Sequence, residues 1–365
     1  MKTTAIVYCE NEFGKVDGKV ANGLVRNSDK YKIVGVIDST KAGLDAGMCQ
    51  DGIKNNIPIF KNIEDAIYHL NELPNSFIYG IAPFSSVLNK VERDIIMDAM
   101  KRGLNIVNGL PEFFTNDDEF MQIAQEYTVE IHDVRKPPER ENLHHFTGLI
   151  SDLNVPVIAI FGTDCAIGKR TTAVKLVDAL RIEGLNAVFI ATGQTGLLQG
   201  SKYGIAVDML SSGFATGEIE HAILTACELE RPDIVIVEGQ GALSHPAFTS
   251  SSAILKGALP DAIIIQSAPK RKNHCDYPNI PMPSLNSEIN LIESFCDTEV
   301  IAITINHEGM TDTELDNSIL EHEMTYELVT TDVLKHGCDK LVKIIFQQFP
   351  QLLEKQDAPL THVNA

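Results

Sequence analysis

The sequence predicts an α/β protein of two parallel-sheet domains, an N-terminal Rossmann-like domain followed by a C-terminal P-loop NTPase-like, doubly wound domain. Three observations predict it. Short runs of Val, Ile and Ala alternate with helical patterns along nearly the whole chain. The length of 365 residues exceeds what one core ordinarily fills. A glycine-bounded loop, "GTDCAIGKRTT" at 162–172, stands between an apolar run and a helix-like stretch.

In the first domain, expected over 1–135, "TTAIVYC" reads as a buried strand and "KVANGLVR" as its helix. The alternation continues through "YKIVGVID", "NIEDAIYHLNEL", "SFIYGIA", "VERDIIMDAMKRG", "LNIVNG", "EFMQIAQEY" and "VEIHDV". Near-continuous apolar strands between such helices mark a parallel sheet covered on both faces. From 136 to 152 the chain is polar and proline-led without clear periodicity, which predicts a linker or arm. The second domain, 153–350, runs through "VPVIAIF", the loop and its helix, "NAVFIA", "GEIEHAILTACELE", "DIVIVEGQG", "DAIIIQ", "EVIAITIN" and "LVKIIFQQF", leaving a tail at 351–365. Its strands end in Gly, polar or charged clusters, and in an open α/β sheet such ends line the ligand crevice.

Fifty acidic against thirty basic residues give a formal charge of −20, which repels nucleic acid and anionic lipid, so neither is an expected partner. A phosphorylated ligand therefore needs a local basic pocket. The seven cysteines are scattered, with no C-x-x-C pair, so neither a disulfide framework nor a metal site is expected. No stretch reaches the roughly 18 apolar residues of a membrane span, and "MKTTAIVYCENEFG" is too quickly followed by acid to be a secretory segment. The expectation is a soluble cytoplasmic protein that associates with copies of itself.

A phosphate loop needs glycines that let the backbone curl, N–H groups aimed inward, a helix N-terminus behind them and a lysine reaching the anion. Gly162, Gly168 and Lys169 supply these parts, with five residues between the glycines where four are usual. The cradle comprises Gly162, Thr163, Asp164, Cys165, Ala166, Ile167, Gly168, Lys169, Arg170, Thr171 and Thr172. Arg170 replaces the Ser or Thr that holds magnesium in P-loop hydrolases, and Thr171 substitutes only if the helix starts a residue late. The loop thus points to gripping a phosphorylated ligand more than to hydrolysing one. The bland alternative is a glycine-punctuated turn with a solvated Lys-Arg pair.

Glu238 ends "DIVIVEG", where a carboxylate can bind magnesium or take a proton, or else cap the next helix. His245, seven residues on, is a candidate base or a turn hydrogen-bonder. "ATGQTG" carries Gln194 and Thr195, candidates for orienting a substrate, on what otherwise reads as a plain turn. "SAPKRKNH" gathers Arg271 and His274 with two lysines, either an anion site or a solvated basic turn. Asn306 ends "EVIAITIN" and can meet a base edge or cap the next segment. Cys165 inside the loop suggests a covalent acyl relay, but the sequence places no base beside it.

"GTDCAIGKRTT", "VEGQG" and the terminal Asn306 resemble the dethiobiotin synthetase branch of P-loop proteins. Over nearly its full length the chain resembles the bacterial DUF1611 family, through "AIVYCENEFG", "GKVANGLVR", "VIDSTKAGLDAG", "DVRKPP", "GTDCAIGKRTTA", "GQTG", "VDMLSSGFATGEIE" and "VEGQGALSHPA". Gly213 in "SSGFATG" and the stretch "IAPFSS" at 81–86 depart from that pattern. The resemblance implies a D-glutamate N-acetyltransferase that uses acetyl-CoA in D-amino-acid catabolism. It implies that 162–172 cradles the coenzyme's phosphates and that Glu238 and His245, with Gln194 or backbone N–H groups near "GQG", face the reacting groups. Small-molecule partners follow, an amino acid and a phosphorylated cofactor. The alternatives are an ATP- and magnesium-dependent carboxylate-activating enzyme and a non-catalytic nucleotide-binding protein.

Overall fold

Six short parallel strands form the sheet of the first unit: β1 (Thr3–Tyr8), β2 (Tyr31–Ile37), β3 (Ile59–Phe60), β4 (Ser76–Tyr79), β5 (Asn105–Asn108) and β6 (Ile131–Asp133). Their spatial order, β3-β2-β1-β4-β5-β6, reverses direction between β1 and β4, as in a Rossmann-type sheet. The computed structural model describes residues 2–83 and 87–356. Phe84–Ser86 of the divergent "IAPFSS" stretch, and 357–365 of the expected tail, lie outside the described residues. The chain forms two compact units, Met1–Pro138 with Gly193–Ser201, and Glu139–Thr192 with the chain from Lys202 onward.

Helices α1 (Lys19–Arg26), α2 (Ala46–Asp51), α3 (Ile63–His69), α4 (Lys90–Lys101) and α5 (Asp118–Tyr127) connect the first six strands. Helix α1 buries Val20, Ala21, Leu24 and Val25, a stripe at i, i+1, i+4 and i+5 that faces the sheet. Helix α4 starts at a capping box, in which the Asn89 side chain accepts from Glu92 N–H and the Glu92 carboxylate accepts from Asn89 N–H.

Strands β7 (Val157–Gly162), β8 (Ala187–Ala191), β9 (Tyr203–Gly204), β10 (Ile234–Glu238) and β11 (Ala262–Ser267) belong to the second unit. A small antiparallel hairpin follows, β12 (Asn273–His274) with β13 (Tyr277–Pro281), and then β14 (Glu299–Ile305) and β15 (Val329–Thr331). The sheet order is β15-β14-β11-β7-β10-β8-β9, and every pair is parallel. The chain is therefore α/β, with parallel sheets in both units. Strand β7 is central and fully buried, and Glu238 of β10 pairs in register with Ile160 of β7. This adjacency brings the end of β10 to the loop that leaves β7.

Helix α6 (Lys169–Ile182) follows that loop. Next comes α7 (Gln194–Gln199), in the "GQTG" stretch that reads as a turn from sequence. Six residues are too few to show helical periodicity, and the helix is instead held by the first unit. Gln199 Nε2 donates to the carbonyls of Gly23 (2.8 Å) and Asn27 (2.7 Å), and Leu198 joins that unit's core.

The later helices are α8 (Ser212–Glu230), α9 (Ser250–Ala258), α10 (Leu285–Phe295), α11 (Asp312–Tyr326), α12 (Asp339–Gln348) and α13 (Leu353–Gln356). Gly213 lies in the first turn of α8 with open space around its Cα. Further along α8, Glu218 and Glu220 are buried and bind the 139–152 segment. Glu218 Oε1 accepts from His144 N–H (2.5 Å) and Nδ1 (2.9 Å), and Glu220 Oε2 accepts from Thr147 N–H (2.6 Å) and hydroxyl (3.0 Å). A Cβ on Gly217 would stand 2.3 Å from the His144 carbonyl, so only glycine lets the segment lie this close.

Candidate functional site

The carbonyls of the loop after β7 are held by three side chains, one from the loop's own end and two from outside it. Lys169 Nζ donates to the Asp164 carbonyl, Arg271 to those of Cys165 (2.9 Å) and Ala166 (3.5 Å), and Asn306 Nδ2 to that of Ile167 (2.9 Å). With four consecutive carbonyls engaged, the N–H groups of Ala166, Ile167, Gly168 and Lys169 meet no acceptor among the described residues. Gly168 has φ +105°, which sets the turn into α6, and Ala166 is also left-handed at φ +49°. Orphan N–H groups at the start of a 14-residue helix make an anion cradle.

Helix α6 begins at Lys169, so Arg170 stands in its first turn and Thr171 is not shifted into the magnesium-binding place. The Thr172 hydroxyl is occupied, donating to Gln266 Oε1 at 2.6 Å, which also accepts from the Thr304 hydroxyl at 2.6 Å. Thr163 N–H donates to the Gln266 carbonyl at 3.1 Å. Burial holds the Lys169 ammonium below its ordinary pKa.

Asp164 has no exposed surface and is the hub of a polar cluster. Its Oδ1 accepts from His274 Nδ1 at 2.7 Å, and its Oδ2 from Cys275 N–H at 2.9 Å and Arg271 at 3.0 Å. Burial alone would raise its pKa, but the bonds from His274, Cys275 N–H, Arg271 and Cys165 N–H outweigh it and hold the carboxyl below the usual range. The basic turn of "SAPKRKNH" thus divides: Arg271 and His274 turn inward, while Lys270 pairs with Glu314 at the surface.

His245 lies against the same cluster, with its ring 4.5 Å from that of His274 and stacked on Phe248 at 4.6 Å. Its Nδ1 accepts from Ala247 N–H at 3.2 Å. Its Nε2 is buried without a hydrogen-bond partner among the described residues, 3.8 Å from Asp164 Oδ1. Burial, then the neighbouring His274, lowers its pKa.

Two groups among the described residues could hold a metal ion, Asp164 with His245 and His274, and Cys165 with His245 and Asp276; the candidate ligand atoms of each lie within 4.8 Å of one another. The bond from Ala247 N–H weighs against the first, since an accepting Nδ1 leaves the proton on Nε2 and removes the lone pair a metal needs. The second group sets the Asp276 carboxylate near Cys165, while the same Ala247 bond leaves His245 a donor at Nε2 and no base for that thiol.

Glu238 ends β10 beside the loop, where its Oε2 accepts from Thr192 N–H at 3.1 Å and its carbonyl from the Thr192 hydroxyl at 2.9 Å. Gln194 and Thr195 lie on α7 in the first unit, with Thr195 buried. A Cβ on Gly109 of that unit would lie 3.6 Å from Gln194 Cγ. Gln266, Cys275 and Glu288 were missed from sequence. Gln266 carried a signal, as the polar end of the apolar run "DAIIIQ". Glu288 carried none: it sits inside α10, is fully buried, and accepts from the Leu243 N–H and the Ser244 hydroxyl (2.6 Å) to fix the turn before His245.

Against known proteins, 39–137 match a family model described as the DUF1611 Rossmann-like N-terminal domain, and 144–342 match the DUF1611 P-loop domain. The chain belongs to the DUF1611 family. A crystal structure of a DUF1611 protein from Anabaena variabilis superposes with a TM-score of 0.87 at 28% identity, over 95% of this chain and 100% of that one. A D-glutamate N-acetyltransferase of a Pseudoalteromonas species is 32% identical over 73% of this chain and 80% of its own length. One from Tritonibacter scottomollicae is 25% identical over the same shares. The family's Rossmann-like and P-loop domains are those expected from sequence. Among the described residues no helix is long and apolar enough to cross a membrane.

Proposed function

We propose that this DUF1611 protein is a cytoplasmic N-acetyltransferase that moves the acetyl group of acetyl-CoA to the amino group of a small amino acid, D-glutamate, in D-amino-acid catabolism. The observation that carries the proposal is the 32% identity, over 80% of its length, to a relative named for that activity. The loop chemistry supports it. Both substrates are anions, and the cradle offers N–H groups, Lys169 and Arg170 without the hydroxyl that would hold magnesium for nucleotide cleavage.

Acetyl transfer requires that the acceptor ammonium lose a proton and that the tetrahedral oxyanion be met by donors. Glu238 and His245, beside the cradle, are the acid-base candidates, and the backbone N–H groups of Gln240 and Gly241 are candidate oxyanion donors, that of Gly239 being taken by the Ile160 carbonyl at 3.0 Å. The test combines thermal-shift titration with acetyl-CoA, CoA and ATP, each with and without magnesium, and an assay for free CoA with D-glutamate as acceptor. Acetyl-CoA should stabilise the protein without metal and release CoA only when D-glutamate is present. Magnesium-dependent binding of ATP with no acetylation would replace this reading with the carboxylate-activating one.

A further inference from the structure

The two histidines beside the cradle are held in opposite tautomers. His274 Nδ1 donates to the buried Asp164 carboxylate at 2.7 Å, which in the neutral ring leaves the lone pair on Nε2. His245 Nδ1 accepts from Ala247 N–H at 3.2 Å, which leaves its Nε2 carrying hydrogen. That N–H is buried and meets no acceptor among the described residues, and a buried orphan donor persists at a cost unless a ligand meets it. A carboxylate that fixes an imidazole through Nδ1–H, freeing Nε2 as a proton acceptor, is the arrangement general-base dyads use.

We propose that Asp164 and His274 form the proton-accepting dyad for an α-amino acid whose carboxylate rests on the 166–169 N–H groups, with His245 Nε2–H as donor to the acetyl oxygen. This rests on the acetyltransferase reading and moves the base from Glu238 or His245 to His274. The choice of occupant follows from Asp164, which belongs to both the dyad and the cradle. In an amino acid the α-amine and α-carboxylate are two bonds apart, whereas in acetyl-CoA the whole pantetheine arm separates thioester from diphosphate. Only the amino acid brings both an anion to the cradle and a proton to the adjacent dyad. Lys169, now on the Asp164 carbonyl, is drawn to the arriving carboxylate.

The step balances. His274 Nε2 takes one ammonium proton, and the freed nitrogen pair forms the C–N bond to the thioester carbon. The oxyanion collapses, the C–S bond breaks with its pair going to sulfur, and the imidazolium returns its proton to the CoA thiolate. The second proton on nitrogen leaves to solvent.

Two measurements test the proposal. Imidazole nitrogen NMR of the intact protein, which needs no turnover, should find His274 as the Nδ1–H tautomer and His245 as the Nε2–H tautomer. The reverse in either ring, or a shift on adding zinc that marks ligation, overturns the dyad. In steady-state kinetics, His274→Gln should lower kcat at least 100-fold and abolish the acid limb of the pH-rate profile, the signature of a base that must be deprotonated. His245→Gln should lower kcat but keep that limb. Arg170→Ala should raise KM for D-glutamate about tenfold and leave KM for acetyl-CoA unchanged. A limb that survives in His274→Gln, or a raised KM for acetyl-CoA alone, overturns the proposal while the acetyltransferase reading stands. A wild-type protein that acetylates no amine overturns that reading, and the role of the dyad in transfer falls with it; the NMR result then reports only the tautomers.

Discussion

Asp164 and His245 are buried side by side and respond to acid in the same direction. The Asp164 pKa is lowered in the folded state, so its stabilisation is present above the unfolded value of about 4 and fades as pH falls through the folded value. The His245 pKa is also lowered; below about 6.5 the unfolded chain takes up a proton that the folded one refuses, so stability falls as pH drops below that point. Calorimetric melting from pH 8 to pH 4 should therefore show decline beginning near 6.5, and His245→Gln should flatten its upper part. Gly239, just after Glu238, has no room for a methyl: a Cβ would stand 2.2 Å from the Ile160 carbonyl. Gly239→Ala should cost about 1–3 kcal/mol and lower the melting temperature. At this scale the loop was legible, since glycine spacing, Lys169 and the flanking strand and helix are local signals. The dyad was not, because His274 lies 110 residues from Asp164 and no periodicity connects them.

Among the elements, the 139–152 segment is held to α8 by carboxylates rather than by an apolar stripe. Glu220→Ala leaves the N–H of Thr147 without its acceptor and takes one from Ile150, at a cost of about 1–3 kcal/mol for each orphan. Hydrogen exchange should accelerate at Thr147 and Ile150, with the buried face of α8 still protected. The strands of both sheets were readable because parallel strands buried on both faces leave near-continuous Val and Ile runs. Two-residue β3, β9 and β12, and six-residue α7, are too short to carry a period; their neighbours hold them in place.

For the whole molecule, a formal charge of −20 means that the anionic substrates of the proposed reaction need a local cluster of donors, such as the 166–169 N–H groups with Lys169 and Arg170. Acetyl-CoA at a hundred times its dissociation constant should stabilise the protein by about 2.7 kcal/mol without magnesium. A melting curve that moves only when magnesium is added would point to the nucleotide reading instead.

Within this chain, the residue order by itself determined what is local: alternating strands and helices, hence two parallel sheets, and a glycine-bounded turn at a helix N-terminus that can bind an anion. Only the tertiary structure decided which polar groups share that turn. Strand order put β10 and β11 on either side of β7, which set Glu238 and Gln266 beside the loop, and the hairpin after β11 turned Arg271 and His274 onto Asp164. The physical reason is that hydrophobic period is written over a few consecutive residues, whereas a buried carboxylate takes its donors from wherever the packed sheet delivers them.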